Sequence, residues 1–410
     1  MEHGSAAGER DEARPAPASN CPVNDYDPYE AENLLDPHPG CAELRAQGGV
    51  VWLSRYEIYA LPRYATTRAA LDDWRSFSSA HGVMLNDVMN NFMRGALLCS
   101  DPPEHDVKRD VIMGPLTPMA LRKIRDEIFS EAETLVAQLC ERGSFNAATE
   151  LAEHLPLTIV ATRVGLPSVE RESMLKWGKA AFDCIGPLEK ERTRAALGVL
   201  DEFGAFVRNN SARDKVSPGS WLDGLYSAAD AGRIPHEVCG AMAVDYMGPS
   251  LDTTISALSS AVWLFARHPE QWNIVRENPS LIPNAVNEIV RIESPIQGWT
   301  RYVAKDTELD GVALPRGSRV LVMFGSANRD ERKWENPTEF DVSRGVADHV
   351  GFGHGEHSCA GANLARTEII AVLTALAKRV KRFELVGEPV REVTSVTRGW
   401  SNVRVQVHLA

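Results

Sequence analysis

Apolar and polar positions alternate with period two along Val50-Val51-Trp52-Leu53-Ser54-Arg55-Tyr56-Glu57-Ile58-Tyr59-Ala60-Leu61, which predicts a β-hairpin turning near Ser54 and Arg55. From about Pro118 to Gly204 the apolar spacing becomes helical, with Met119–Arg142 and Val169–Phe182 as examples. Cys239–Phe265 predicts one long apolar helix, Val286–Ile292 a shorter one, and Ala362–Ala377 a third. The second should stop at Ser294-Pro295, because the residue before proline disfavours helix. Ser318–Val322 and Val403–Val407 read as strands. The fold class is therefore mainly α with smaller β sheets. Strand patterns lie near both ends of the sequence, so they must pair non-locally. That favours a single domain over residues 25–410, preceded by a Pro- and Glu-rich stretch, 1–24, expected to be disordered.

Composition narrows the function classes. The 410 residues are 44% hydrophobic and 24% charged, with formal net charge −12. An acidic protein lacks the basic footprint that nucleic acid requires. The longest apolar runs, Ala257–Ala266 and Ile369–Ala377, fall short of the ~20 residues a membrane helix needs. Seven scattered cysteines with no C-x-x-C pair and no apolar leader core suggest a reduced, cytoplasmic protein; a monomer is expected.

One segment concentrates chemistry: Phe352-Gly353-His354-Gly355-Glu356-His357-Ser358-Cys359-Ala360-Gly361. It is a Gly-rich loop leading into a helix, where free backbone N–H groups would stabilise a thiolate. Three readings fit these residues: a thiolate that ligates haem iron, an inert buried cysteine, or a zinc site of His354, His357 and Cys359, which would be cramped.

The segment resembles the haem-binding pattern F-x-x-G-x-[HR]-x-C-x-G of cytochromes P450 at every fixed position. Further matches follow in order: Asp101-Pro102-Pro103-Glu104-His105-Asp106-Val107-Lys108-Arg109, Asp252-Thr253-Thr254, Glu288-Ile289-Val290-Arg291, Ala327-Asn328-Arg329-Asp330 and Phe340-Asp341-Val342-Ser343-Arg344. The resemblance implies an α-rich triangular prism, with haem b between a long oxygen-binding helix and the cysteine loop. It implies Cys359 as axial iron ligand, with Phe352 and Gly361 in the haem-binding loop. His105, Arg109, Arg301 and His357 would hold the haem propionates, which suits arginine's bidentate fork. Asp252 and Thr253 would relay protons during oxygen activation. Glu288, Arg291 and Arg344 would form a buried structural ion-pair network.

The sequence departs from the family at Pro249-Ser250-Leu251, where small residues usually precede the acid. Proline leaves the Asp245 carbonyl without its helical donor, so a kink is expected, with the Ser250 hydroxyl available to the oxygen groove. Family positions lining the substrate pocket carry over to Met84, Leu85, Leu97, Leu98, Phe182, Ile185, Asp245, Gly248, Pro249, Ile296, Gln297 and Trp400. Their apolar character implies a small hydrophobic substrate. Segments such as Ser294-Pro295-Ile296-Gln297 resemble members that demethylate methoxybenzoates, but Asp245 would repel an anion. A neutral phenol or alkoxyphenol is therefore expected. A terpenoid, direct use of peroxide, and a non-turnover haem sensor are the alternatives; the Asp252-Thr253 pair argues against the last two. No nucleotide or iron–sulfur motif is present, so the resemblance implies a ferredoxin and its NAD(P)H-dependent reductase as partners. Lys108, Arg122, Lys123, Arg125 and Arg366 are candidates for the docking patch.

Overall fold

The computed structural model describes residues 17–410. Most of residues 1–24 thus lie outside the described residues. The remainder is ordered: Cys21 is buried, and Val23–Asn24 pairs in parallel with Val51–Leu53.

The expected hairpin forms from Val51–Leu53 and Ile58–Leu61, with the chain reversing over Ser54–Glu57. Its period-two pattern does not separate core from solvent. Trp52, Tyr59 and Leu61 enter one apolar cluster, while Val51, Leu53, Ile58 and Ala60 enter another on the opposite face. Ile58–Leu61 then pairs in parallel with Arg319–Val322, which pairs antiparallel with Trp299–Val303. Adding Phe77–Ser78 at the far edge gives a six-stranded sheet drawn from both halves of the chain. A second sheet joins Ser144–Asn146 to Val380–Leu385 through Arg404–Leu409. The non-local pairing expected from the strand positions is thereby realised.

The helical core is the larger cluster. Pro118–Arg142 begins with the Thr117 hydroxyl accepting from the Ala120 N–H, carries proline at its first position, and stops at Gly143 with φ 75°. Ile128, Ala132 and Val136 form a fully buried ridge at four-residue spacing. It packs on Ala362–Arg379, whose Ile369, Val372 and Leu376 are equally buried. Ile282–Glu293 ends at Ser294, φ 44°, immediately before Pro295.

The long helix expected over Cys239–Phe265 is interrupted. Cys239–Met247 is α-helical, Gly248–Leu251 winds into a tighter 3-10 turn, and Thr253–Arg267 resumes the helix. Asp252, at φ −139° and ψ −52°, is the break. Proline at 249 goes further than a kink: it divides the element in two.

Candidate active site

The cysteine loop is shaped by its glycines. Gly353 and Gly355 adopt φ 68° and 66°, and a side chain on Gly355 would lie 2.4 Å from the Leu71 carbonyl oxygen. The Cys359 N–H donates to the Phe352 carbonyl at 2.8 Å, closing the loop just before Ala362–Arg379. Of the seven cysteines, six are buried and Cys359 alone is exposed, its sulfur facing an internal cavity. Burial deep in the protein pushes its thiol up, while the Gly361 and Ala362 N–H groups and the guanidinium groups of Arg109 and Arg366 pull it back. These are the conditions that favour a thiolate once a cation is beside it. A zinc site of His354, His357 and Cys359 does not assemble: His354 pairs instead with Asp72 at 2.7 Å.

His105, Arg109, Arg301 and His357 converge on the same cavity. The Nε2 atoms of both histidines are buried and have no hydrogen-bond partner among the described residues. Their rings lie 4.4 Å apart. Among the described residues, Arg301 donates only to the Thr300 carbonyl at 2.8 Å, and Arg109 only to the Ser358 hydroxyl at 3.5 Å. Burial lowers both guanidinium groups, Arg301 to about 10. Burial and the neighbouring cations push His357 down to about 2. His105 also meets Asp106 through Nδ1 at 3.2 Å, while its Nε2, His357 and the two guanidinium groups face the cavity, an arrangement that suits an anion.

The expected ion network also assembles. Arg291 Nε and Nη2 donate to the two oxygens of Glu288 at 2.6 and 2.8 Å, and Arg344 Nε donates to the same carboxylate at 3.3 Å. Arg291 further donates to the carbonyls of Asn328 and Pro337. Glu288 and Arg291 are completely buried, so the pair fixes the 328–344 segment on the Ile282–Glu293 helix.

The cavity has a volume of about 360 Å³. Among the expected pocket residues, Met84, Leu97, Leu98, Phe182, Ile185, Asp245, Gly248, Pro249 and Ile296 line it, as do Phe352, Gly361 and Thr253. Three expected residues do not. Leu85 packs in the cluster of Leu53 and Tyr56. The Gln297 amide donates to the Glu293 and Ser294 carbonyls, capping the end of their helix. Trp400 stacks on Trp263 at 4.7 Å and beneath the Arg391 guanidinium at 3.5 Å.

Two further placements differ from expectation. The Ser250 hydroxyl is not free for the groove; it donates back to the Tyr246 carbonyl at 2.8 Å. Asp252 is turned away from the cavity: its carboxylate accepts from Ser256 Oγ at 2.9 Å and Thr397 Oγ1 at 2.7 Å. Thr253 does face the cavity, donating to the Pro249 carbonyl at 2.9 Å. Of the basic-patch candidates, Lys108 is tied to Glu104 and the Gly95 carbonyl, and Arg366 donates to Asn287 and lies over Phe352. Arg122, Lys123 and Arg125 remain exposed on one helix.

Sequence reasoning missed Glu368. It lines the cavity from the Ala362–Arg379 helix, with no hydrogen-bond partner for its carboxyl group among the described residues, and burial pushes it up to about 8. Its signal was an acid in the apolar i, i+4, i+8 row Leu364–Glu368–Val372.

The Cytochrome P450 family profile matches residues 186–404. Cytochrome P450 CYP199A2 of Rhodopseudomonas palustris is 34% identical over 385 residues, covering 93% of this chain and 93% of that protein. This chain belongs to the cytochrome P450 family. Linalool 8-monooxygenase of Pseudomonas putida is 31% identical over 308 residues, 74% of this P450 and 76% of the relative. Among solved structures, the cytochrome P450 CREJ bound to (4-ethylphenyl) dihydrogen phosphate is 25% identical with TM-score 0.81, covering 93% of this chain and 99% of that one. This P450 is thus a monooxygenase, an oxidoreductase that uses haem b and O2. The site fits that cofactor. The open sulfur of Cys359 suits iron, and the unpartnered donors of His105, His357, Arg109 and Arg301 suit the two propionates. Among the described residues no helix is long and apolar enough to cross a membrane.

Proposed function

We propose that this P450 oxidises a small neutral aromatic carrying a hydrogen-bond donor, such as a 4-alkylphenol or methoxyphenol, by hydroxylation or oxidative O-demethylation. Asp245 carries this reading. Its carboxyl group lines an otherwise largely apolar cavity, accepts no hydrogen bond from the described residues, and is pushed up to about 7 by burial. A buried acceptor without a donor is costly, and a ligand hydroxyl would relieve that cost. A benzoate would instead set two carboxyl groups against each other. Met84, Leu98, Phe182 and Ile296 would enclose the ring and exclude water.

Haem, held by Cys359 and the four propionate donors, supplies the centre at which O2 is activated. Asp252 and Thr253 deliver the protons. Thr253 stands at the cavity wall and Asp252 behind it, bonded to the buried Thr397. Electrons come from a ferredoxin fed by an NAD(P)H-dependent reductase, with Arg122, Lys123 and Arg125 as its electrostatic guide. A small terpenoid alcohol is the second reading. It is favoured by the apolar lining and by the likeness to a linalool 8-monooxygenase, and its hydroxyl would bond Asp245 in the same way.

Spin-state titration of the haem-loaded protein decides between ligand classes. Phenols and methoxyphenols should produce a larger low- to high-spin shift than the matching benzoates, and Asp245→Asn should narrow the gap. Tighter benzoate binding in the unaltered protein would reverse the assignment.

A further inference from the structure

Among the described residues, no lysine or arginine bonds the Asp252 carboxyl group. Its listener is a hydroxyl from a turn 145 residues away. The turn Thr394-Ser395-Val396-Thr397 is buried throughout and anchored firmly. The Gln297 N–H donates to the Val396 carbonyl at 2.8 Å, the Arg398 N–H to the Pro295 carbonyl at 3.0 Å, and Ser395 N–H to Asp183 Oδ1 at 3.1 Å.

The hydrogen bonds within this turn have a definite direction. A hydroxyl has one proton to give. Thr397 Oγ1 gives its proton to Asp252 Oδ2. The 2.8 Å contact between Thr394 Oγ1 and Thr397 Oγ1 must then be donated by Thr394. Thr394 Oγ1 in turn accepts the backbone N–H of Thr397 at 2.9 Å and of Val396 at 3.3 Å, so it has no reason to turn round. The second carboxylate oxygen receives Ser256. The chain of donors Thr394 to Thr397 to Asp252 therefore ends on a carboxyl oxygen, and such donation is stronger to the charged form.

We propose that Thr397, aligned by Thr394, is a positioning residue that holds the Asp252 carboxyl group turned away from the cavity and favours its ionised form over the neutral one. Burial raises the Asp252 carboxyl group above its ordinary value, and the two hydroxyl donors pull it part of the way back. The other charges acting on this site are Lys179 and Glu392, which pair with each other, and Asp183, which lies 4.0 Å from Arg192. The inference rests on Asp252 as the proton-delivering acid and adds what sets its resting state.

The test compares Thr397→Val, Thr397→Ser and Thr394→Ala in the haem-loaded protein. The protonated-carboxyl stretching band of Asp252, assigned by its loss in Asp252→Asn, is titrated by infrared difference spectroscopy. Loss of a hydrogen bond to the charged form should raise the midpoint in Thr397→Val by about one pH unit. Thr397→Ser should restore it, and Thr394→Ala should give a smaller rise of the same sign. The acid limb of the kcat/KM profile should move with the band. An unmoved midpoint in Thr397→Val, or in Thr394→Ala should the valine variant fail to fold, overturns the proposal. So does an equal rise in Thr397→Ser, since that would make the effect one of packing. Undiminished turnover in Asp252→Asn would defeat the acid's catalytic part, and it is distinguishable because the band shift reads the holding by Thr397 directly.

Discussion

Replacing Pro249 with alanine tests what divides the long helix. Proline leaves the Asp245 carbonyl without an i+4 donor, and the chain tightens over Gly248–Leu251. Alanine restores the donor and favours regular helix by about 3 kcal/mol relative to proline. The Thr253 Oγ1 bond to the Pro249 carbonyl at 2.9 Å and the Ser250 Oγ bond to the Tyr246 carbonyl at 2.8 Å both reach four residues back, as regular helix allows, so they do not oppose the change. A bias of about 3 kcal/mol is roughly a hundredfold shift in population towards the straight helix. Straightening would fill the groove. Product formed per NAD(P)H consumed should therefore fall severalfold, measured with ferredoxin and reductase in excess. Amide hydrogen exchange over residues 246–253 should slow as N–H groups gain partners. Unchanged coupling together with unchanged exchange would refute the role assigned to proline.

Two further expectations test the cofactor cradle. Gly355→Ala places a methyl group 2.4 Å from the Leu71 carbonyl at φ 66°, whereas Gly353→Ala at φ 68° finds its nearest atom at 3.4 Å. Both carry backbone strain of about 1–2 kcal/mol, but only the first must displace the loop, so haem retained per chain after desalting should be lower in Gly355→Ala. Equal retention would contradict the close approach. Burial raises Glu368 from an ordinary 4.5 to about 8. A carboxyl group so raised stabilises the fold fully below its unfolded value, and that contribution is lost as pH rises through about 8. The apoprotein's urea midpoint should therefore fall across this window and Glu368→Gln should flatten the fall; parallel pH slopes in the two proteins would show Glu368 to be uninvolved.

What was legible in the sequence was periodic or local. The 3.6-residue rows found the helices, and the ten residues from Phe352 to Gly361 carried the thiolate loop within themselves. What was not legible depended on where neighbouring side chains point. Met84 lines the cavity while Leu85, one residue on, belongs to another cluster, because the chain bends through both residues and no periodic pattern fixes their facing. Gln297 could not be placed because its amide caps the helix that ends three residues earlier. The partner of Asp252 was invisible for a different reason: a hydroxyl 145 residues away leaves no local pattern. The 3-10 turn at Gly248–Leu251 lies between these cases, since Pro249 announced a disturbance but not its extent.

Three carboxyl groups lie at or just behind this cavity, and they differ in the donors supplied to them. Asp252 has two hydroxyl donors, whereas the carboxyl groups of Asp245 and Glu368 have none from the described residues. Asp245 is the one whose missing donor a substrate could provide, and its value of about 7 makes the consequence measurable. A phenol O–H bonds the ionised carboxylate more strongly than the neutral acid. Binding then favours loss of the Asp245 proton, so phenol affinity should rise with pH through about 7 and level off above it. A benzoate is repelled by the same ionisation, and its affinity should fall over the same interval. Asp245→Asn should abolish both slopes while leaving the apolar contacts of Phe182 and Ile296 in place. The opposite slopes are the decisive feature, because a general loosening of the cavity with pH would move both ligands in one direction. Parallel slopes for phenol and benzoate would show that Asp245 does not face the ligand.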